Sequence, residues 1–589
     1  MRVHRLQVKN FRGLKSLDLK LGDDAQVCCL IGPGDSGKST ILTALEWAFW
    51  PRYSLSVSDV DFFECAYEEP IEIDVTFSGF PSELTNEDKY CLYQRRIDFD
   101  DRHDDPLDDT PVALTLRLRI ESDLEPNWYM VKNGKEPRRV SAADRAKLPV
   151  CVVGGNIDRD TSWGRYSLLQ KYSSSKNPLK EPSIEAAREL AGIPLNELNE
   201  ASAGIPSIVK PCGVPWDDGD SVNNHFVVTG GSLSAQAGIF SGKVPLSRFG
   251  EGSRRLFSVG LGMGATKDGA LVLVDEIETG LEPHRLVNLI HKLKNPGTGT
   301  QPQCVMTTHS PVALREMSAE DLYAVHNTEG DARCCWLHTE DTEINNKLQA
   351  QLRKSAESFL APRVIVCEGQ TEVGLIRALD EYTSRERGGL GIASVGAFPF
   401  SAEGGSNMLD YAARLHGFGY QVCVLMDSDV DGKEKAKLEE GKKRLEEAGV
   451  PVFAWDEGLS LEEQVFEDIS ASGVKELIKL AIARRSRDSI KSRLGNEGLN
   501  LDVLLTSDTF DMPTRKTIGR VAADKKKDDK KKRNDWFKSV GGGEEMGRIV
   551  FMDENFGNDK CNSMSNRLLG LQQWALELGG VVEQHSPLH

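Results

Sequence analysis

Long apolar runs are missing from this 589-residue chain. No stretch approaches the roughly 18–20 consecutive apolar residues that span a bilayer, so no membrane-crossing helix is expected. The opening segment "MRVHRLQVKNFRG" has no apolar h-region, which makes a secretory signal unexpected and a cytoplasmic location the expectation. No C-x-x-C pair occurs among the twelve cysteines, and Cys29, Cys304 and Cys423 fall in apparent strands. Buried, reduced thiols fit that distribution better than a disulfide framework or a zinc site. Positive charge is in deficit: 72 Lys and Arg face 90 Asp and Glu, for a formal net charge of −18. Such a balance argues against a protein that coats nucleic acid with its whole surface. It leaves open a local basic groove, or phosphates approached through metal ions. Hydrophobic content of 39% and charged content of 28% describe a soluble globular chain, and its length exceeds what one core organises, so two or three domains are expected.

The clearest local pattern lies near the N-terminus. "QVCCLIGPGDSGKSTILTALEWAF" reads as strand, loop and helix, and "GPGDSGKS" satisfies G-x-x-x-x-G-K-[ST] in the context that validates it. Gly32, Pro33, Gly34, Asp35, Ser36 and Gly37 form the loop, whose backbone N–H groups suit phosphate oxygens; Lys38 suits the β- and γ-phosphates, and Ser39, followed by Thr40, suits Mg2+. Farther on, "LVLVDEIETG" ends an apolar strand on Asp275 and Glu276. Asp275 suits the water shell of a metal ion, and Glu276 suits a general base orienting the attacking water. "VMTTHSP" then places His309 at the end of another apolar strand, within expected reach of a γ-phosphate.

These motifs, with "LSRFGEGSRR" just before the Asp–Glu strand, "ETGLEP" after it and "VKNFRGLKSLDL" near the start, resemble the ABC-type ATPase heads of the SMC and RecF group. The resemblance implies ATP as cofactor and a composite dimer, in which Gly250, Gly252 and Ser253 of one subunit complete the nucleotide site of the other. Two departures stand out. The signature segment is not Leu-Ser-Gly-Gly-Gln, and no Q-loop glutamine is evident; "SDVDFF" offers Asp59 and Asp61 in its place.

A second chemical pattern occupies the C-terminal half. "VCVLMDSDVDGK" is an apolar strand that ends on Asp427, Asp429 and Asp431. It opens like an EF-hand calcium loop, but the twelfth position is Leu438 rather than Glu, and a strand precedes it. "RVIVCEGQTE" is likewise an apolar strand ending on an acid, Glu368, with Glu372 one helical turn beyond. Residues two apart on a strand share a face, so Asp427 and Asp429 are expected to point together. Should the two strands be parallel neighbours, their C-terminal ends would converge on the crevice where open α/β sheets hold ligands. Clustered hard oxygen donors suit Mg2+ or Mn2+. "LSLEEQVF" adds Glu462 or Glu463, with Glu462 preferred.

The pair "EGQTE" and "DSDVDG" resembles the Toprim domain of topoisomerases, primases and some nucleases. An ABC-type head with an insertion, followed in one chain by a Toprim domain, resembles the OLD (overcoming lysogenization defect) nucleases, to which Gabija-type antiphage nucleases are related. The resemblance implies DNA cutting with two metal ions, an assisting lysine, matched by Lys538 in "WFKSVGGGEEMG", and a role in phage defence or DNA repair. The expected fold is therefore α/β and multidomain: an SMC/RecF-like head with an inserted dimerisation segment, then a Toprim domain with a helical extension. The expected bounds are 1–120 and 241–325 for the two lobes of the head, 121–240 for the insertion (with a helix at "SIEAARELAGI"), 326–361 for a helical connector, 362–470 for the Toprim core and 471–589 for the helical region. DNA and a second copy of the chain are the expected partners, with a co-encoded protein as a further one. The helix "VKELIKLAIARRSRDSIKSRL" and the lysines at 525–532 are candidate contacts to backbone phosphate. Two other readings remain open: an ATP-gated DNA clamp that does not cut, and a topoisomerase-like enzyme sharing the metal site.

Overall fold

The computed structural model describes residues 1–22, 25–97, 112–153, 195–214, 216, 222–228, 235–264, 269–295, 302–386, 388, 391–402, 404–430, 432–524, 535–557 and 563–577. The chain divides into two compact units, Met1–Leu360 and Ala361–His589. The helix expected at "SIEAARELAGI" and the lysine run at 525–532 lie outside the described residues.

A 13-stranded mixed sheet organises the first unit. Its middle is parallel: Val27–Ile31 lies between Gln303–Thr307 and Leu322–Thr328, and Gln303–Thr307 is followed outward by Leu271–Val274 and Val150–Val153. Val27–Ile31, Leu271–Val274 and Gln303–Thr307 are buried at every residue, as strands covered on both faces must be; the first two are apolar throughout, and Gln303 is buried through its hydrogen bonds with the Val3 main chain. Arg2–Phe11, Leu14–Lys20, Ile71–Ser78 and Val112–Ile120 form an antiparallel wing with the alternation that "IEIDVTFS" and "VALTLRLRI" display. The wing continues past residue 120, where the sequence led us to expect an insertion. Pro126–Val131 pairs with Val112–Ile120, and Val150–Val153 joins the parallel core. Trp128 and Met130 are buried by that pairing and extend the same core, which a six-residue strand beside polar turns does not announce.

In the second unit a four-stranded parallel sheet runs in the order Ala397–Ser401, Arg363–Cys367, Gln421–Met426, Val452–Ala454. The strands carrying Glu368 and Asp427 at their ends are thus direct neighbours, with Cys367 opposite Leu425. Helices follow the strands, and Leu461–Asp468 through Ser563–Glu577 are helical segments that close the unit. Their apolar faces share one core with the sheet: Ile365, Leu375, Leu425, Phe466, Trp536 and Phe537 are fully or almost fully buried in it. Each such side chain contributes about 1.5–3 kcal/mol by leaving water.

Two contacts position the functional residues. Phe466 and Trp536 pack edge to face at 5.9 Å, tying the segment before Lys538 to the helix that carries Glu462. Helices Gln370–Glu386 and Val540–Phe551 touch backbone to backbone. A Cβ on Gly374 would lie 2.1 Å from the Val540 carbonyl oxygen, and one on Gly543 would lie 2.1 Å from that of Thr371. Only glycine permits that approach. Among the described residues no helix is long and apolar enough to cross a membrane.

Candidate functional site

The first cluster forms where the central parallel strands of the first unit end. Gly32 to Gly37 turn through positive φ at Gly32, Asp35 and Gly37 and deliver Lys38 to the first turn of helix Lys38–Ala48, with Ser39 and Thr40 beside it. Pro33 is half-buried, while Gly34 and Asp35 are exposed. Lys38 Nζ donates to the carbonyls of Gly32 and Pro33 and to Ser36 Oγ. Burial pushes the Lys38 ammonium down to about 8, against the pull of Asp35, Asp275, Glu276 and Glu278. Ser39 Oγ donates to Asp275 Oδ1 at 3.0 Å, and Thr307 Oγ1 donates to the same oxygen at 2.6 Å. Thr307 Oγ1 also accepts the Glu276 N–H at 2.7 Å. Glu276 itself is exposed and sits at φ 45, with Arg255 gripping its carbonyl oxygen at 3.0 Å and that of Asp275. A non-glycine residue in the left-handed region is held there by its surroundings, and such positions concentrate at functional sites.

His309 is exposed at the end of Gln303–Thr307. Its backbone N–H donates to Glu278 Oε1 at 2.7 Å, and Thr308 Oγ1 donates to Glu278 Oε2 at 2.6 Å. Gly250, Gly252 and Ser253 behave differently from one another. A Cβ on Gly250 would meet nothing within 4 Å. One on Gly252 would lie 2.2 Å from the Gly280 carbonyl oxygen, and Ser253 is buried with its Oγ accepting from Arg285 at 3.1 Å. The last two are therefore engaged within their own chain. Of the two aspartates in the Q-loop position, Asp61 closes a capping box with Ser58 and pairs with Arg12 at 3.0 Å, a structural engagement, whereas Asp59 is exposed.

The second cluster lies wholly in the second unit. Glu368 and Asp427 follow adjacent strands, and the Asp427 N–H reaches Glu368 Oε2 at 3.4 Å. A cavity of about 630 Å³ opens there, lined by Glu368, Glu372, Asp427, Asp429 and Glu462 and also by Asp535 and Lys538. Glu372 sits in the first turn of Gln370–Glu386 and accepts the Gly369 N–H at 3.0 Å. Leu461–Asp468 brings Glu462 in, while Glu463 accepts from Ser460 N and Oγ, both at 3.0 Å, as the N-terminal cap of the same helix. Asp431 lies outside the described residues. Among the described residues no three donor side chains are drawn tightly enough to grip an ion as they stand; the acids line the walls of a shared cavity instead.

The electrostatics of this cavity follow from burying like charges together. Glu372 is pushed up to about 7, first by desolvation and then by Glu462 and Glu368. Burial also pushes Glu462 up to about 7; Asp535 adds to the shift and Lys538 opposes it. Asp427 is raised well above the carboxylate range by desolvation, then by Glu372, Glu368, Glu462 and Asp429. A set of buried carboxylates at odds with one another is the donor chemistry that a hard divalent cation relieves.

Sequence reasoning missed several participants. Asp535 is buried and its Oδ2 stands 3.4 Å from Lys538 Nζ, while Arg485 holds its carbonyl oxygen. An acid three residues before the expected lysine, next to the buried pair Trp536 and Phe537, was the available signal. Thr307 and Glu278 were visible as polar residues at strand ends. Arg255 was visible only as part of "GEGSRR", with nothing to say that it reaches the Asp275 and Glu276 carbonyls.

Comparison with known proteins agrees with the two-part layout. A family model described as "AAA domain, putative AbiEii toxin, Type IV TA system" matches residues 27–315. One described as "Overcoming lysogenization defect protein-like, TOPRIM domain" matches residues 359–429. A curated protein of Thermus scotoductus, named OLD nuclease, is 40% identical over 78 residues, which is 13% of this chain and 14% of that protein. The chain thus spans about a seventh of the length of that relative in the match. Among solved structures, an Smc head bound to the C-winged helix domain of ScpA is 16% identical with a TM-score of 0.35, covering 58% of this chain and 98% of that one. The SMC head domain from Thermotoga maritima is 14% identical with a TM-score of 0.30, covering 58% of this chain and all of that one, 100%. An AAA domain model and an OLD-like Toprim domain model thus match in that order along one α/β multidomain chain.

Proposed function

We propose that this chain is an ATP-binding and ATP-hydrolysing DNA endonuclease that depends on divalent metal ions, Mg2+ or Mn2+, with two of them at the carboxylate cavity. The observation that carries the reading is the convergence of Glu368, Glu372, Asp427, Asp429 and Glu462 on one cavity with Lys538. The five acids are the residues that hold the ions, and Glu372 and Glu462, whose pKa values lie near 7, give up protons as they do so. Bound divalent ions supply activation of a water and neutralisation of charge at the leaving oxygen. Lys538, with Asp535 beside it at 3.4 Å, offers positive charge to a phosphodiester as negative charge develops on it.

In the first unit, Lys38 and the backbone of Gly32–Gly37 hold the phosphates of ATP. Ser39 and Asp275 orient the nucleotide's Mg2+, Glu276 orients the attacking water, and His309 meets the γ-phosphate. Gly250, open on its Cβ side, is the signature residue best placed to face a second copy. The span 121–240, beyond the strands that it gives to the large sheet, is the proposed dimerisation region. Phage defence or DNA repair is the proposed setting, and the name of the curated relative supports nucleic acid as the substrate class.

A plasmid assay with Mg2+ or Mn2+, with and without ATP, tests the reading. Nicked or linear product from the parent chain and none from Asp427→Ala is the expected outcome; equal cleavage by both removes the assignment. A covalent protein–DNA adduct would replace it with the strand-passage reading, and DNA held without cutting would replace it with the clamp.

A further inference from the structure

A second cavity, of about 500 Å³, lies against the back of the acid loop, within the size range of nucleotide and small-ligand clefts, ~300–1,000 Å³. The two cavities share a wall. Asp427 and Asp429 line the carboxylate side, and Ser428 and Val430 line the other, as expected where an extended segment alternates its side chains. That wall is stitched in place: the Ser428 N–H donates to the Leu459 carbonyl at 3.0 Å, the Gly458 N–H donates to the Ser428 carbonyl at 3.0 Å, and Ser428 Oγ donates to the Trp455 carbonyl at 2.8 Å.

The chemistry of the second cavity is unlike that of the first. Its cations are Lys435 and Lys442, from one face of helix Gly432–Glu447, and Arg567, from helix Ser563–Glu577. Glu439 and Glu457 are its acids, and Glu457 pairs with Lys435 at 2.5 Å. Arg567 is braced against the sheet, donating to the Ala454 carbonyl, to Asp456 Oδ1 at 2.9 Å and to the Ser563 carbonyl at 2.9 Å. The floor is apolar, built from Val452, Phe453 and Leu438. Trp455, also on the lining, belongs to the apolar core of the unit, and its carbonyl oxygen accepts from Ser428 Oγ.

We propose that this cavity receives the nucleotide next to the scissile phosphate on the same DNA strand. The strand crosses the wall Asp427–Val430: one phosphate meets the carboxylate cavity, and the adjoining nucleotide enters the second. Lys435 and Lys442 face its phosphate, and Val452 and Phe453 lie under its apolar parts. Cationic side chains beside an apolar, aromatic floor are the usual composition of single-strand subsites. The inference rests on the nuclease reading above and adds to it where the strand runs.

The test uses the full chain with an end-labelled single-stranded oligonucleotide, in Lys442→Ala and Phe453→Leu variants. Lys442→Ala leaves the fold's core untouched and removes one phosphate contact. It is expected to raise KM for DNA severalfold more than it lowers kcat, and to flatten the dependence of log affinity on log salt by ~0.7. Phe453→Leu, which removes the aromatic face and keeps an apolar floor, is expected to raise KM without changing the salt slope. If the parent cuts DNA and both variants match it in KM and salt slope, the subsite is wrong while the nuclease reading stands. If the parent neither binds nor cuts DNA, both fall together. Selective weakening of a free mononucleotide, with DNA unaffected, would assign the cavity to a separate ligand and overturn the strand path.

Discussion

Both units gather acids at the C-terminal ends of parallel strands, yet they hold them in different ways. In the first, Asp275 accepts from Ser39 and Thr307, and Glu278 accepts from Thr308 and the His309 backbone. Hydroxyls and main-chain N–H groups fix those carboxylates, so the cluster is organised by the protein alone. In the second, Glu368, Glu372 and Asp427 also accept main-chain N–H groups, from Asp427, Gly369 and Leu461, yet the acids confront one another across a cavity, and burial with like charge drives Glu372 and Glu462 up to about 7. Hydrogen-bonded acids are prepared to orient a ligand's metal and water; mutually repelling acids are prepared to take up cations of their own. The same residue type on the same kind of sheet edge is thus surrounded in two ways, and the chemistries proposed for the two clusters differ accordingly.

The sharpest way to break this comparison is to disable each unit separately. Lys38→Ala should abolish ATP turnover while leaving the carboxylate cavity intact, and a phosphate-release assay reads the loss. Normal hydrolysis by that variant would remove the nucleotide role from the first cluster. A smaller effect should appear with pH. For Glu372 and Glu462 the folded-state pKa of about 7 lies above the ordinary 4.5, so folding takes up protons. Their favourable contribution is present below about pH 4.5 and is lost as pH rises through about 7. The melting temperature of chelator-treated protein should therefore fall between pH 5 and pH 8. Added Mg2+ should restore more at pH 8 than at pH 5; saturation at a hundredfold over Kd contributes ~2.7 kcal/mol, on the order of 5–10 °C for a unit of this size. A melting temperature that does not change with pH or metal would show that the acids are not waiting for a cation.

The smallest effect distinguishes neighbours. Glu462→Gln should weaken the protection by Mg2+ and slow cleavage. Glu463→Ala should leave metal response and cleavage in place and cost about 1 kcal/mol of stability through the loss of its hydrogen bonds from Ser460. Reversed results would move the cavity acid one residue along.

How much was legible beforehand depended on whether the signal was local. An apolar strand followed directly by an acid marks Glu368, Asp427 and Asp275, and a histidine just past such a strand marks His309, because burial and strand end are both written in a run of about ten residues. The same holds for the phosphate loop. What could not be seen was set by contacts across the fold. Asp535 acquires its place through Trp536 packing on Phe466, seventy residues away in the chain. Gly252 looks like a signature glycine, but its neighbour is the Gly280 carbonyl. Strands Pro126–Val131 and Val150–Val153 are short and flanked by polar turns, so only their partners identify them as part of the sheet.

The meeting of Gly374 with Gly543 carries a further consequence. Thr371, whose carbonyl abuts Gly543, stands immediately before Glu372, and Val540, whose carbonyl abuts Gly374, stands two residues after Lys538. The acidic side of the cavity and its basic side are therefore clamped main chain to main chain, with no flexible side chain between them to absorb an error. A single methyl group at either glycine would act as a shim, spreading acid from lysine while every charged residue kept its identity. Damage to this machine can thus enter through an alanine that touches no substrate at all.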